Sequence, residues 1–208
     1  NSGLVTLTTK PSAEIPGHLF FVNPNTKSVT KILGNIKGLT TLTSPNGQLV
    51  LYSESQSGSP SLFVFDSVNK QTKSLSLQTL PEKCVWSKTT KTLIYCAVPQ
   101  SLLGRSLPDQ WYQGVVSFTD DLWSIDTTTT ITKKIMGPDS LGISGLDMTN
   151  LSLSTNDSFL LFINKVSGTP WMYRLAEAAP AQPTALPNTA VKAAVVPSSI
   201  TPDMQKIR

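Results

Sequence analysis

His18-LFFVNPNTKSVTKI-Leu33, Ser61-LFVFDSVNKQTKSL-Ser76 and Asp121-LWSIDTTTTITKKI-Met136 align without a gap. Each opens with an apolar, β-rich run that ends in Asn23, Asp66 or Asp126. A polar turn follows, then a second short strand ending in Ile32, Leu75 or Ile135. This is a β-hairpin pattern in which the Asx side chain opens the turn by bonding the backbone just ahead of it. A fourth segment, Trp171-Met-Tyr-Arg-Leu-Ala, matches only the opening strand. Repeats of this kind govern the fold and are read before anything else.

A second repeated hairpin precedes the later copies. Its versions are Leu42-TSPNGQLVLYS-Glu54, Val85-WSKTTKTLIYC-Ala97 and Leu153-STNDSFLLFI-Asn164. Each has a serine (Ser44, Ser87, Ser154), a tight polar turn and then an apolar strand. The serines are 43 and 67 residues apart, and the other hairpins start 43, 60 and 50 residues apart. One copy of each hairpin makes four strands, and four strands in roughly 40–50 residues is the pattern of a β-propeller blade. The expected fold is therefore all-β, a propeller or part of one built from four-stranded antiparallel blades, with about four blade units visible and almost no helix.

Ser44-Pro-Asn-Gly-Gln-Leu-Val-Leu-Tyr52, followed by Ser61-Leu-Phe-Val-Phe-Asp66, resembles the TolB-type propeller repeat, a pattern also found in the propeller of the dipeptidyl peptidase IV family. The resemblance covers about residues 17–176. In the later copies Lys88-Thr89-Thr90 and Thr155-Asn156-Asp157 replace Pro-Asn-Gly. The resemblance implies an exported bacterial protein, periplasmic or at the cell surface, that uses its propeller as a binding scaffold. It also implies that any peptidase chemistry would sit on a separate α/β domain, which these residues do not encode.

The repeat divides the chain into an incomplete first blade at 1–35, blades at 36–79 and 80–142, a last blade at 143–176 and a tail at 177–208. The first blade is expected to have three strands, with residues 3–9 as the first of them and its innermost strand missing. The last is expected to be short of its outer strand. The tail carries five prolines among Ala, Ser and Thr. It is either extended and unpaired, or 190–197 adds a strand to this molecule or a neighbour.

Only 14% of the 208 residues are charged, while 25 Ser and 25 Thr make up about a quarter of the chain. The 39% hydrophobic content is enough for a core. The net charge of +4 is scattered and not interleaved with exposed aromatics, so no nucleic-acid partner is expected. The longest apolar runs, such as Phe159-Leu-Leu-Phe-Ile163, have strand length, so no membrane span is expected. The chain has no initiator Met or signal peptide at Asn1 and reads as a processed or truncated product.

His18 is the single histidine and occupies a generic strand-entry position. Gly142-Ile-Ser-Gly145 is not a nucleophile elbow, and no metalloprotease, P-loop or dinucleotide motif occurs. No enzyme, cofactor or metal site is expected; the last-ranked alternative is a glycan-processing enzyme with paired carboxylates, whose spacing in a propeller does not follow from spacing in sequence. The candidate binding element is the long loop 98–120 in the third unit, about twice the length of its counterpart in the second. It carries Arg105, Asp109, Trp111, Tyr112 and Asp120. Exposed Trp, Tyr and Arg dominate binding hot spots, so the loop is read as a contact for a protein or glycan partner at the cell surface. The plainer alternative is that Trp111 and Tyr112 fold back as a lid on the blade. Self-association through the open blade and the tail would instead make the chain a structural subunit.

Cys84 and Cys96 flank the hairpin turn centred near Thr90. Positions equidistant from Thr90 oppose one another, which sets Cys84 against Cys96, Trp86 against Ile94 and Ser87 against Leu93. Directly opposed residues are close enough for a disulfide. A disulfide is therefore expected, and with it an oxidising compartment. The alternative is a pair of buried free thiols.

Overall fold

The computed structural model describes residues 3–102, 106–143, 145–175 and 204–206. It consists of antiparallel sheets in chain order, with very little helix. The first sheet is β1 (Val5–Thr8), β2 (Gly17–Asn23) and β3 (Ser28–Ile36). The second is β4 (Thr41–Thr43), β5 (Leu49–Gln56), β6 (Ser59–Asp66) and β7 (Gln71–Leu75). The third is β8 (Cys84–Trp86), β9 (Leu93–Pro99), β10 (Asp120–Asp126) and β11 (Thr132–Met136). The fourth is β12 (Met148–Leu153), β13 (Phe159–Asn164), β14 (Thr169–Arg174) and β15 (Met204–Lys206).

Among the described residues the first sheet has three strands. The fourth departs from expectation. Its outer strand is present and comes from the tail, where Met204–Lys206 pairs with Trp171–Tyr173. The segment 190–197 lies outside the described residues.

The sheets pack face to face because each strand alternates its side chains between two neighbours. Leu19 and Phe21 of β2 meet Val50, Tyr52 and Phe65 of the second sheet. Leu62 and Val64 point the other way, against Cys84, Trp86, Ile94 and Ile125 of the third. Leu122 and Ala97 in turn meet Leu160, Phe162 and Tyr173 of the fourth. Leu19, Leu62 and Leu122 thus each face the following sheet. Phe20 and Val22, on the far side of the first sheet, are only half-buried.

The turns show why the repeat has its residue types. Asn23, Asp66 and Asp126 each accept two backbone N–H groups through Oδ1: Asn25 and Thr26, Val68 and Asn69, Thr128 and Thr129. The turn then closes through a left-handed residue, Lys27, Lys70 or Thr130, at φ of 57°, 58° and 60°. The same device recurs outside the aligned hairpins, between β13 and β14. There Asn164 Oδ1 accepts the Val166 N–H at 3.1 Å and Gly168 takes the left-handed place at φ 68°.

In the serine turns, Ser44 Oγ accepts the Leu49 N–H at 2.9 Å and Ser154 Oγ accepts that of Phe159 at 3.0 Å. The third-sheet turn is one residue longer, so Ser87 Oγ bonds Thr90 N instead, at 2.7 Å. Its hydroxyl also donates to Asp157 Oδ2 of the fourth sheet at 2.5 Å. Lys88 N and Thr89 N add bonds to the same carboxylate at 3.0 and 3.2 Å. Asp157 sits at φ 59°, the place that Gly47 fills at φ 76° in the second sheet.

Cys84 and Cys96 form a disulfide, with Cα atoms 4.1 Å apart. The register is the expected one: Cys84 opposite Cys96, Val85 opposite Tyr95 and Trp86 opposite Ile94.

Candidate functional site

The loop joining β9 to β10 is described at 98–102 and 106–120. It folds over one end of the sheets as a small body with its own core. Pro108 leads into a single helical turn, α1 (Asp109–Tyr112). This turn lowers Trp111 onto Leu80, Leu107 and Phe118, with Leu102 and Val116 partly covered beside them.

Each sheet holds this body by a different bond. Ala13 N, ahead of β2, donates to Asp109 Oδ2 at 2.6 Å. Leu107 N donates to Gly58 O in the β5–β6 turn at 3.2 Å. Lys165 Nζ, in the β13–β14 turn, donates to Trp111 O at 2.5 Å and lies 4.6 Å above the Trp111 ring. Tyr112 Oη donates to Glu82 Oε1 in the turn Pro81–Lys83 before β8.

Under the loop lies a buried charge cluster. Lys83, Asp120 and Asp147 are fully enclosed. The Lys83 ammonium contacts Asp147 Oδ1, stands 2.8 Å from Asp120 Oδ2 and donates to Met148 O at 3.0 Å. Asp147 Oδ2 accepts Trp111 Nε1–H at 3.0 Å and Phe118 N–H at 3.1 Å. Asp120 Oδ2 accepts Met148 N–H at 2.7 Å, while its Oδ1 is buried without a hydrogen bond. The Trp111 and Phe118 rings flank Nζ at 5.2 and 5.4 Å. Burial pushes the Asp120 carboxyl up to about 6, Lys83 opposes that shift and Asp147 reinforces it. Burial likewise raises Glu82, against the hydrogen bonds from Tyr112 and Thr40. Tyr112 is raised by burial and by the neighbouring Glu82.

These positions revise the reading of the loop as an exposed contact. Trp111 and Asp120 are interior residues that fasten the loop, so neither reaches a partner. The lid alternative describes Trp111. Asp109 is tied to the first sheet, and Tyr112 keeps 46% of its surface exposed. Asp109, Tyr112 and Gln113 line a hollow with Lys10 and Pro11. Arg105 lies outside the described residues. Among the described residues no group of three His, Cys, Asp or Glu is placed to hold a metal.

Lys83 and Asp147 are the residues that sequence reasoning missed. Thr40 and Lys83 both stand four residues ahead of the turn serine, immediately before β4 and β8. A buried polar residue there was a readable signal in the second and third units. Asp147 stands immediately before β12 but seven residues ahead of Ser154, and the irregularity between Thr149 and Ser152 accounts for one residue of that difference. In register the place of Thr40 is taken by Thr149, opposite Ile163, so Asp147 has no counterpart that the repeat would have pointed to.

Sheets of this kind, each packed on the next and joined in sequence, define a run of β-propeller blades. Among solved structures the chain is similar to TolB from Acinetobacter baumannii, with a TM-score of 0.58 and 13% identity over 83% of this chain and 38% of that one. It is also similar to Kuenenia stuttgartiensis hydrazine synthase, with a TM-score of 0.55 and 11% identity over 76% of this chain and 46% of that one. An oligogalacturonate lyase in complex with manganese matches with a TM-score of 0.52 and 12% identity over 85% of this chain and 46% of that one. The chain thus spans less than half the length of each of these neighbours. The likeness is one of fold, and the TolB-type propeller expected from the repeat is among the matches. No protein-family model matches the chain, and no curated protein matches it in sequence. Among the described residues no helix is long and apolar enough to cross a membrane.

Proposed function

We propose that the chain is a non-catalytic propeller scaffold, exported from the cytoplasm, which binds a protein or glycan partner through the face that carries loop 98–120. The observation behind this reading is the way the loop is held. It is bonded to the Ala13 segment, the Gly58 turn, the Glu82 turn and the Lys165 turn, so its outer surface is a preformed platform. Tyr112, Gln113 and the 67%-exposed Val115 stand on that surface. Binding to a preorganised surface loses less conformational freedom than binding to a mobile loop. The disulfide suits an oxidising compartment outside the cytoplasm.

The test is a photo-crosslinking residue placed at Val115 in the full protein in its native cells. A discrete adduct is expected there and not from the same residue at Val68, which is equally exposed on the β6–β7 turn. Glycan-array binding that is lost in Tyr112→Ala would assign the partner to the sugar class. Absence of both signals, or adducts of equal yield at the two positions, counts against the reading.

A second reading, a structural subunit joined by strand exchange, is favoured by β1. This strand is an edge of the three-stranded sheet, with Val5 48% and Leu7 53% exposed. Open edges are templates for pairing. Light scattering across a concentration series distinguishes the two, since a polymer that Leu7→Lys dissolves supports the subunit reading and a monomer throughout supports the scaffold.

A further inference from the structure

We propose that Lys83 and Asp147 condense to an amide, an intramolecular isopeptide bond joining the third and fourth sheets, with Asp120 as the proton carrier. The cluster holds the parts such a reaction needs. The nucleophile is Lys83 Nζ, in contact with Asp147 Oδ1. The electrophile is Asp147 Cγ, whose other oxygen, Oδ2, accepts the Phe118 N–H at 3.1 Å and the nearer limb of the Trp111 Nε1–H, which lies 3.0 Å from Oδ2 and 3.2 Å from Oδ1. Two donors on one carboxyl oxygen polarise the carbon and are placed to hold negative charge as it develops on Oδ2. The carrier is Asp120, 2.8 Å from Nζ, with one oxygen free of any hydrogen bond. All three side chains are fully enclosed, and aromatic rings flank the amine. Such surroundings favour uncharged species over an ion pair and exclude the water that would reverse the condensation.

The step balances without an oxidant or a further reactant. Asp120 accepts a proton from the Lys83 ammonium and passes it to Asp147 Oδ1, leaving a neutral amine beside a neutral carboxylic acid. Nζ adds to Asp147 Cγ, and a single negative charge develops on Oδ2 between its two donors. Asp120 takes a second proton from the nitrogen and delivers it to the Oδ1 hydroxyl. The Cγ–Oδ1 bond breaks as the carbonyl re-forms on Oδ2. Water leaves with both protons from Nζ, the amide keeps one hydrogen, and Asp120 ends in its starting state. The ammonium and the Asp147 carboxylate are both consumed, so the dry interior is left with Asp120 alone in place of three charged groups. Lys83 Nζ also donates to Met148 O, and that acceptor stays available to the remaining amide hydrogen.

The measurement is the mass of the full-length folded protein after the disulfide has been reduced. The expected value is about 18 Da, one water, below the mass calculated from the sequence. After reduction, alkylation and trypsin digestion, peptide 74–88 should remain uncut at Lys83 and appear linked to peptide 135–165. Asp120→Asn should show the unmodified mass with a native near-ultraviolet circular dichroism spectrum. Wild-type protein at full mass, with trypsin cutting after Lys83, overturns the proposal whatever the variant does. An Asp120→Asn protein that still loses water overturns the role given to Asp120.

Discussion

Burial lifts the Asp120 carboxyl to about 6, against the pull of Lys83 and with the push of Asp147, so the folded chain holds this proton more tightly than the unfolded chain does. The stability it contributes is complete below the ordinary carboxylate range near 4 and is lost as the pH rises through about 6. Asp157 has the opposite sign. Burial raises its carboxyl, but the bonds from Ser87, Lys88 N–H and Thr89 outweigh that and leave it below its ordinary value. Its contribution is present above that range and fades on acidification beneath it. Thermal melts of wild type and Asp120→Asn at pH 4.5 and 7.5 should therefore differ in slope, with wild type gaining more than the variant at the lower pH. Equal slopes would remove the linkage. Asp157→Ala leaves Ser87 Oγ, Lys88 N and Thr89 N without their shared acceptor and should cost about 1–3 kcal/mol by denaturant titration.

Within a sheet, the alternation of β6 decides which substitutions matter. Leu62 is fully buried between the second and third sheets, and Leu62→Ala should cost about 2–5 kcal/mol in urea unfolding. Phe63 has the aromatic bulk that sequence alone would rank above it. It is only half-buried, stacked on Tyr52 with ring centres 5.2 Å apart, so Phe63→Ala should cost less than the roughly 3–5 kcal/mol of an enclosed ring. The β8–β9 hairpin carries the disulfide. Cys84→Ser combined with Cys96→Ser should lower stability by about 3 kcal/mol, since the bridge closes a short loop in the unfolded chain. This bridge was legible because hairpin register follows from the turn centre alone. The charge cluster was not, because Lys83, Asp120 and Asp147 come together only after two sheets and a loop have packed, and Asp147 lies beyond the position that Thr40 and Lys83 share in the repeat. Trp111 misled for a related reason. A long polar loop ordinarily lies in solvent, but this one has enough apolar residues, Leu107 and Phe118 among them, to build a core of its own.

At the scale of the molecule, the order of the sheets follows the repeat, and the exception is at the end. The outer strand of the fourth sheet comes from the tail, across residues whose Pro- and Ala-rich composition gives no strand signal. Deleting 187–208 should strip β15 from β14 and lower the melting temperature, with roughly 2–4 °C lost per kcal/mol of pairing removed. An unchanged melting curve would show that this strand adds nothing to the fold.

Chains of repeated units ordinarily stand or fall by nearest-neighbour contacts, so they fray from an end one unit at a time. Loop 98–120 departs from that rule, because it belongs to the third sheet yet grips the Ala13 segment of the first and Lys165 of the fourth. A pull applied between the two ends must therefore break a bracket that spans non-adjacent units before any one of them can peel away. Stretched singly in an optical trap, the protein should yield in one large rupture, and severing the Asp109 tether with Asp109→Ala should turn that rupture into a staircase of smaller ones.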